Sequence, residues 1–251
     1  VNRQAQAAVL FLLGAALLHA GFTDLYLRYV KAGLQPLLLA SGAVLIAAAL
    51  ATAWYEWRRT RTGAGETDHG HDGHAHGDAE GHREPRVSWL LVLPLFALIL
   101  VAPPALGSYS ATRAGTALQE PLAYPSLPAS TGPLRLAVAD YAGRAAYDHG
   151  RSLAGRSIEI TGFVALDRAG TPYLVRMALN CCAADAQPVK VGLTGRIPPV
   201  LQPDTWLTVT GTYTARQSRD PVNGGRIPFI EVTAAKPVPV PHDPYDETWN
   251  N

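Results

Sequence analysis

The chain has 251 residues, with 21 Lys+Arg against 20 Asp+Glu, a formal net charge of +1 and 48% hydrophobic residues. That length allows one or two domains, and the near-neutral balance singles out no class of charged partner. Two cysteines permit one intrachain disulfide at most and do not by themselves identify an oxidising compartment.

Apolar residues are concentrated in positions 1–106, and three runs stand out there: about 7–29, 34–57 and 87–106. Each is near the roughly 20 residues that cross a hydrocarbon layer of about 30 Å, so three transmembrane helices are expected. The first run is too long, and too polar at its far end, for a cleaved signal peptide. Arg58, Arg59, Arg61, Arg83 and Arg86 flank the loop 58–86, whereas the first turn offers only Arg28 and Lys31. The positive-inside rule then puts the N-terminus and this loop in the cytoplasm and everything after 106 outside. Trp54, Tyr55, Trp57 and Trp89 would form an aromatic belt at the inner interface. His19 shares a helix face with Thr23. An ionisable group at that depth is a candidate for a transport or metal role, against the plainer reading of a neutral imidazole bonded to a neighbouring helix. Asp24 and Arg28 read as an interfacial pair. Pro94 removes one backbone hydrogen bond from the third helix, which packing against other helices must offset.

Within the loop 58–86 the sequence turns to TDHGHDGHAHGDAEGH. Such a composition cannot bury a core. His69, His71, His74, His76 and His82 supply imidazoles, and Asp68, Asp72 and Asp78 supply oxygens. Five histidines within fourteen positions, spaced by flexible glycine, suit zinc or another divalent transition metal. Ordering such a loop costs entropy, so binding there should be weak. The alternative is a low-complexity linker that tolerates histidine.

Positions 107–133 are rich in Ser, Ala, Thr and Pro without an apolar period, which reads as a partly extended linker. A short helix is expected over 136–147, ending before Gly150. From 134 to 251 the sequence predicts an all-β domain. Five runs, at 157–166, 173–179, 189–193, 206–214 and 229–233, are rich in β-branched and aromatic residues and are separated by Gly and Pro. Two share a pattern, IEITGFV and LTVTGTY, with Gly162 and Gly211 in matching places. Glycine inside a strand marks a bulge or sharp coil, the kind of bend that a small closed barrel requires. An OB-like five-stranded barrel is therefore expected, with a small open sandwich as the alternative. From 131 onward twelve Lys/Arg face eleven Asp/Glu, so no positive excess exists to neutralise phosphates and nucleic acid is not the expected partner. The proline-alternating tail, ending in HDPYDETWN, should run extended, with Tyr245 as a candidate anchor and His242 as a residue to watch for metal.

Both cysteines, Cys181 and Cys182, are adjacent in NCCAAD, with Asp185 close behind. Adjacent strand residues point to opposite faces, so the two thiols converge only if the strand ends before them. Three readings stay open: a strained vicinal disulfide, a metal site of thiolates with Asp185, or two small buried residues without chemistry. Nucleophilic catalysis is disfavoured, because His149 and His242 are the remaining imidazoles of the outer domain and neither lies in an active-site context.

Two N-terminal helices, a variable loop, a third helix ending in PPALGS, then ITGFV, VRMALNCCAADAQPV, WLTVTGTY and HDPY run in that order along the whole chain. In this the protein resembles the YcgQ-like family of bacterial membrane proteins, regarded as permease subunits. The resemblance implies a partner in a second, multi-spanning membrane permease protein, and a link to zinc, since some members are associated with zinc limitation. The family's cysteine pair and aspartate fall on Cys181, Cys182 and Asp185, with no catalytic role attached. The expected protein is thus not an enzyme. It is an accessory permease subunit in the lipid of a bacterial cell membrane, binding zinc or another divalent metal at the outer cysteine site and buffering it at the histidine loop. The alternatives are an outward-facing thiol-redox protein and a structural binding module.

Overall fold

The computed structural model describes residues 3–62, 105–118, 120, 123–129 and 131–247. The chain divides into two units: Val1–Leu25 with Gly33–Pro103, and Tyr26–Ala32 with Pro104–Asn251. The segment that joins the first two helices therefore belongs to the C-terminal unit.

In the first unit, α1 (Arg3–Phe22) and α2 (Gln35–Thr62) pack on each other as a helical pair. Both are long and apolar enough to cross a membrane, and little of either is covered by protein. The first helix stops at Phe22, short of position 29, and the chain turns through a 3-10 helix at Asp24–Arg28. Thr23 assists this stop, since its hydroxyl donates to the carbonyl of His19 at 2.7 Å. The shared face of the two residues thus serves a backbone cap, and the His19 ring itself is not what Thr23 engages. At the far end of α2, exposed Trp54, Tyr55 and Trp57 are stacked by Arg58, Arg59 and Arg61 at 5.1, 4.9 and 3.7 Å. Such an aromatic–cation collar is suited to a lipid headgroup layer. The third helix expected at 87–106, with Trp89 and Pro94, lies outside the described residues except for its last two positions. The histidine loop beyond Thr62 also lies outside them.

The second unit is built on seven strands: β1 (Leu134–Arg135), β2 (Ile158–Leu166), β3 (Pro172–Leu179), β4 (Gln187–Gly195), β5 (Trp206–Arg219), β6 (Arg226–Pro237) and β7 (Tyr245–Glu247). Their order is β1-β2-β5-β6-β4-β3-β7, and β2 also pairs with β3. The five strands β2, β5, β6, β4 and β3 thus close on themselves as a barrel, in which β4 and β6 are the parallel neighbours. The two similar motifs are partners: β2 and β5 pair antiparallel, with Thr161 and Thr208 bonded through their hydroxyls at 2.9 Å. Gly162 and Gly211 mark the bends. A Cβ at Gly162 would meet the carbonyl oxygen of Val175 at 2.6 Å, and one at Gly211 would collide with the carbonyl of Glu231. The β5–β6 register also shifts between Thr210 and Gly211. Strands can coil this tightly only where no side chain separates their backbones.

The helix Val138–Ala146 touches all five barrel strands and is almost wholly buried. Its small residues let it seat closely, and Tyr141 donates its hydroxyl to the carbonyl of Phe229 at 2.7 Å. Positions 107–133, expected as a tether, carry a helix at Ser108–Arg113 whose Ala111 is fully buried among Phe163, Val175 and Trp206. Asp204 holds its start, accepting from the Ser108 amide at 2.6 Å and hydroxyl at 2.9 Å. Runs of Ser, Ala and Thr conceal this helix in the sequence because its contacts are small side chains and backbone.

Among the described residues of this unit, the Lys190–Asp220 ion pair is the one with both side chains buried. Lys190 Nζ is 2.7 Å from Asp220 Oδ2 and donates to the Ala114 carbonyl at 2.8 Å, with side-chain exposures of 7% and 0% for the pair. Asp220 also accepts from the amides of Thr116 and Val222. Asp220→Ala would strand a buried ammonium and two amides, and should destabilise the detergent-solubilised protein by about 3–5 kcal/mol in denaturant unfolding. Arg135→Ala, which breaks a 2.8 Å pair with Glu159 whose arginine is 87% exposed, should cost less than about 1 kcal/mol in the same assay.

Candidate metal centre

Strand β3 ends at Leu179, and the thiols follow in the connection to β4. Asn180 and Cys181 form a bend, Cys182 is extended at φ −153° and ψ 169°, and Ala183–Asp185 close a single 3-10 turn. The strand end required for two adjacent thiols to converge is present.

Asp185 makes the turn. Its Oδ1 accepts from the amide of Asn180 at 3.0 Å, its Oδ2 from the amide of Cys181 at 2.9 Å, and its own amide donates to the Cys182 carbonyl at 3.0 Å. One carboxylate thereby folds six residues back on themselves, the local bonding that aspartate favours in turns. The same carboxylate also accepts from the Cys181 thiol and the Cys182 amide. Cys181 is exposed, while Cys182 and Asp185 are half-buried. Ligand atoms of all three residues lie within 4.8 Å of one another.

Electrostatics at this loop follow from crowding three potential anions. The Cys181 thiol is pushed up to about 12, first by its hydrogen bond to the Asp185 carboxylate and then by Cys182. Burial raises Asp185, but hydrogen bonds from the Cys181 thiol and from the amides of Cys181, Asn180 and Cys182 outweigh it and hold the carboxyl below its ordinary range. The loop thus carries a fixed carboxylate beside thiols, one of which keeps its proton. Around a tetrahedral zinc, with Zn–S near 2.3 Å and Zn–O near 2.0–2.2 Å, ligand atoms sit about 3.5–3.8 Å apart. Rotation of the exposed Cys181 side chain can bring its sulfur closer to the other two groups, which lie within 4.8 Å of it. Two sulfurs and one carboxylate fit a borderline-soft cation and leave a fourth position open.

The loop is supported from the tail. Strand β7 runs parallel to the last residues of β3, pairing Met177 with Tyr245 and Leu179 with Glu247, two residues before Cys181. Arg176 pins that tail by donating to the carbonyls of Asp243 at 2.6 Å and Tyr245 at 3.3 Å, and lies 3.3 Å from Asp246. Burial holds the Asp246 carboxyl above its ordinary range, with the facing Arg176 drawing it the other way. Tyr245 is the anchor expected of the tail, at 4% exposure. Arg176 and Asp246 carried no motif and were not singled out in the sequence; an arginine inside an apolar strand is the one signal that pointed to a partner.

Among the described residues, Cys181, Cys182 and Asp185 are the one group of three or more such side chains close enough to share an ion. His149 and His242 are not in it. His69, His71, His74, His76 and His82 lie outside the described residues.

Residues 133–246 match the family model described as the DUF1980 C-terminal domain. No curated protein and no solved structure matches the chain. The matched segment contains the barrel and the whole cysteine loop.

Proposed function

We propose that the protein is a membrane-anchored barrel that binds a thiophilic divalent cation, zinc first among them, at Cys181, Cys182 and Asp185, as the accessory subunit of a multi-spanning permease. The observation that carries this reading is the convergence of two thiols on a carboxylate that is already ionised and held in place by backbone amides. A site with three protein ligands and an open position suits capture and hand-over better than permanent structural binding. Among the described residues two helices are long and apolar enough to cross a membrane, and so small a number gives little room for a solute path, which supports a partner that supplies one. The barrel is OB-like in this reading, since closure through a parallel contact of its third and fifth strands leaves the connections free to carry function. The basic residues beside α2 favour a cytoplasmic histidine loop and an outward cysteine loop.

A thiol-redox role is the weaker reading. Redox cysteines depend on an easily formed thiolate, and the exposed Cys181 is shifted in the opposite direction.

Cadmium titration of the full-length protein, followed by the ultraviolet thiolate-to-metal absorption, tests the site. One equivalent should bind, with Cys181→Ser, Cys182→Ser and Asp185→Asn each weakening it by about 10–100-fold or more. Undiminished binding in all three variants would remove the site from consideration. Because Cys181 holds its proton and binding must release it, affinity should rise with pH between about 6 and about 8, with proton uptake on ion removal. A flat profile would contradict that competition. A thiol reagent that does not cross membranes should label Cys181 on intact cells; labelling only after lysis would reverse the proposed orientation.

A further inference from the structure

One element at the cysteine loop comes from far away in the chain. Residues 26–32 join α1 to α2, yet they fold with the C-terminal unit. Lys31 donates its amide to the Cys181 carbonyl at 3.1 Å, and the Ala183 amide donates to the Tyr29 carbonyl at 2.7 Å. Between these bonds Val30 and Cys182 face each other in an antiparallel bridge. The two bonds bracket the pair instead of joining it. This is the non-hydrogen-bonded position, where Cα atoms approach to about 4.5 Å and the side chains stand next to each other.

The other end of this segment is fixed too. Tyr245 donates its hydroxyl to the Arg28 carbonyl at 3.0 Å and accepts from the Leu106 amide at 3.1 Å. Internally the amides of Tyr29 and Val30 both reach the Tyr26 carbonyl at 2.9 Å, and Tyr26 and Leu27 are buried. Segment 26–32 is thus a strap with one end under the tail and the other stitched to both sides of Cys182.

We propose that this strap is part of the cysteine site, with Val30 as a positioning residue beside Cys182, and that cation binding and strap pairing stabilise each other. The inference rests on the cation reading given above. A bound cation fixes the side chains of Cys181, Cys182 and Asp185, and with them the backbone of 181–183 to which the strap is bonded. Such a coupling acts equally in both directions: whatever loosens the strap weakens the site, and a bound ion tightens the strap. The strap ends at Ala32, three residues before α2 begins at Gln35.

The test uses the full-length protein in lipid nanodiscs, with cadmium as the probe. Val30→Cys combined with Cys181→Ser should form a disulfide to Cys182 on mild oxidation, seen as a cross-linked peptide by mass spectrometry; failure to cross-link would overturn the strap. Hydrogen exchange of the amides of 29–31 in the unaltered protein should slow when cadmium binds. Tyr245→Phe, which removes the two hydroxyl contacts and leaves both thiols, should speed that exchange and weaken cadmium about fivefold or more, with the thiolate absorption per bound ion unchanged. If cadmium gives the thiolate band but leaves the exchange of 29–31 unaltered, and Tyr245→Phe binds as the unaltered protein does, the coupling is wrong while the cation site stands. If no thiolate band develops at all, the cation reading fails and the coupling falls with it.

Discussion

The carboxylate of Asp185 is the constraint on which the candidate site depends. Its two oxygens accept from the amides of Asn180 and Cys181, and so turn the chain immediately after β3. Without that turn two consecutive cysteines would point to opposite faces of a strand. With it, both thiols and the carboxylate fall within 4.8 Å. The amide bonds that shape the loop also help keep Asp185 ionised, and the bond from the Cys181 thiol to that carboxylate keeps the thiol protonated. Geometry and charge at the loop therefore both trace to the one carboxylate.

Everything around the loop fixes its two ends. On the β3 side, β7 is laid against the final residues of the strand and locked by Arg176, while β4 leads away into the barrel. On the other flank, the backbone of 29–31 brackets Cys182. Tyr245 connects the two supports, since it belongs to β7 and bonds the carbonyl of Arg28. A loop of a few residues is by default the mobile part of a domain. Here it is held on both flanks while its thiol at Cys181 stays exposed, which is the combination that a binding site requires.

Much of this was legible in the sequence, for reasons that can be named. The barrel strands were visible because β-branched and aromatic residues cluster between Gly and Pro, and Gly162 and Gly211 disclosed the bends. The cysteine group was visible because its members lie within five positions. Strands β5 and β6 extend beyond the apolar runs, to Arg219 and back to Arg226, since their distal hairpin is polar and gives no hydrophobic alternation. Strand β1 has two residues and leaves no pattern at all. The helix Ser108–Arg113 was hidden by small residues, and the Lys190–Asp220 pair by a separation of 30 positions. The strap was invisible for a deeper reason. Its bonds to 181–183 run from backbone to backbone across some 150 positions, and any side chain could accompany them.

X-ray absorption at the zinc edge, on full-length protein carrying one equivalent of zinc, tests the central claim most directly. The account requires two sulfur scatterers at about 2.3 Å, with oxygen or nitrogen completing the shell. A first shell of imidazole and oxygen without sulfur would place the ion elsewhere and contradict it.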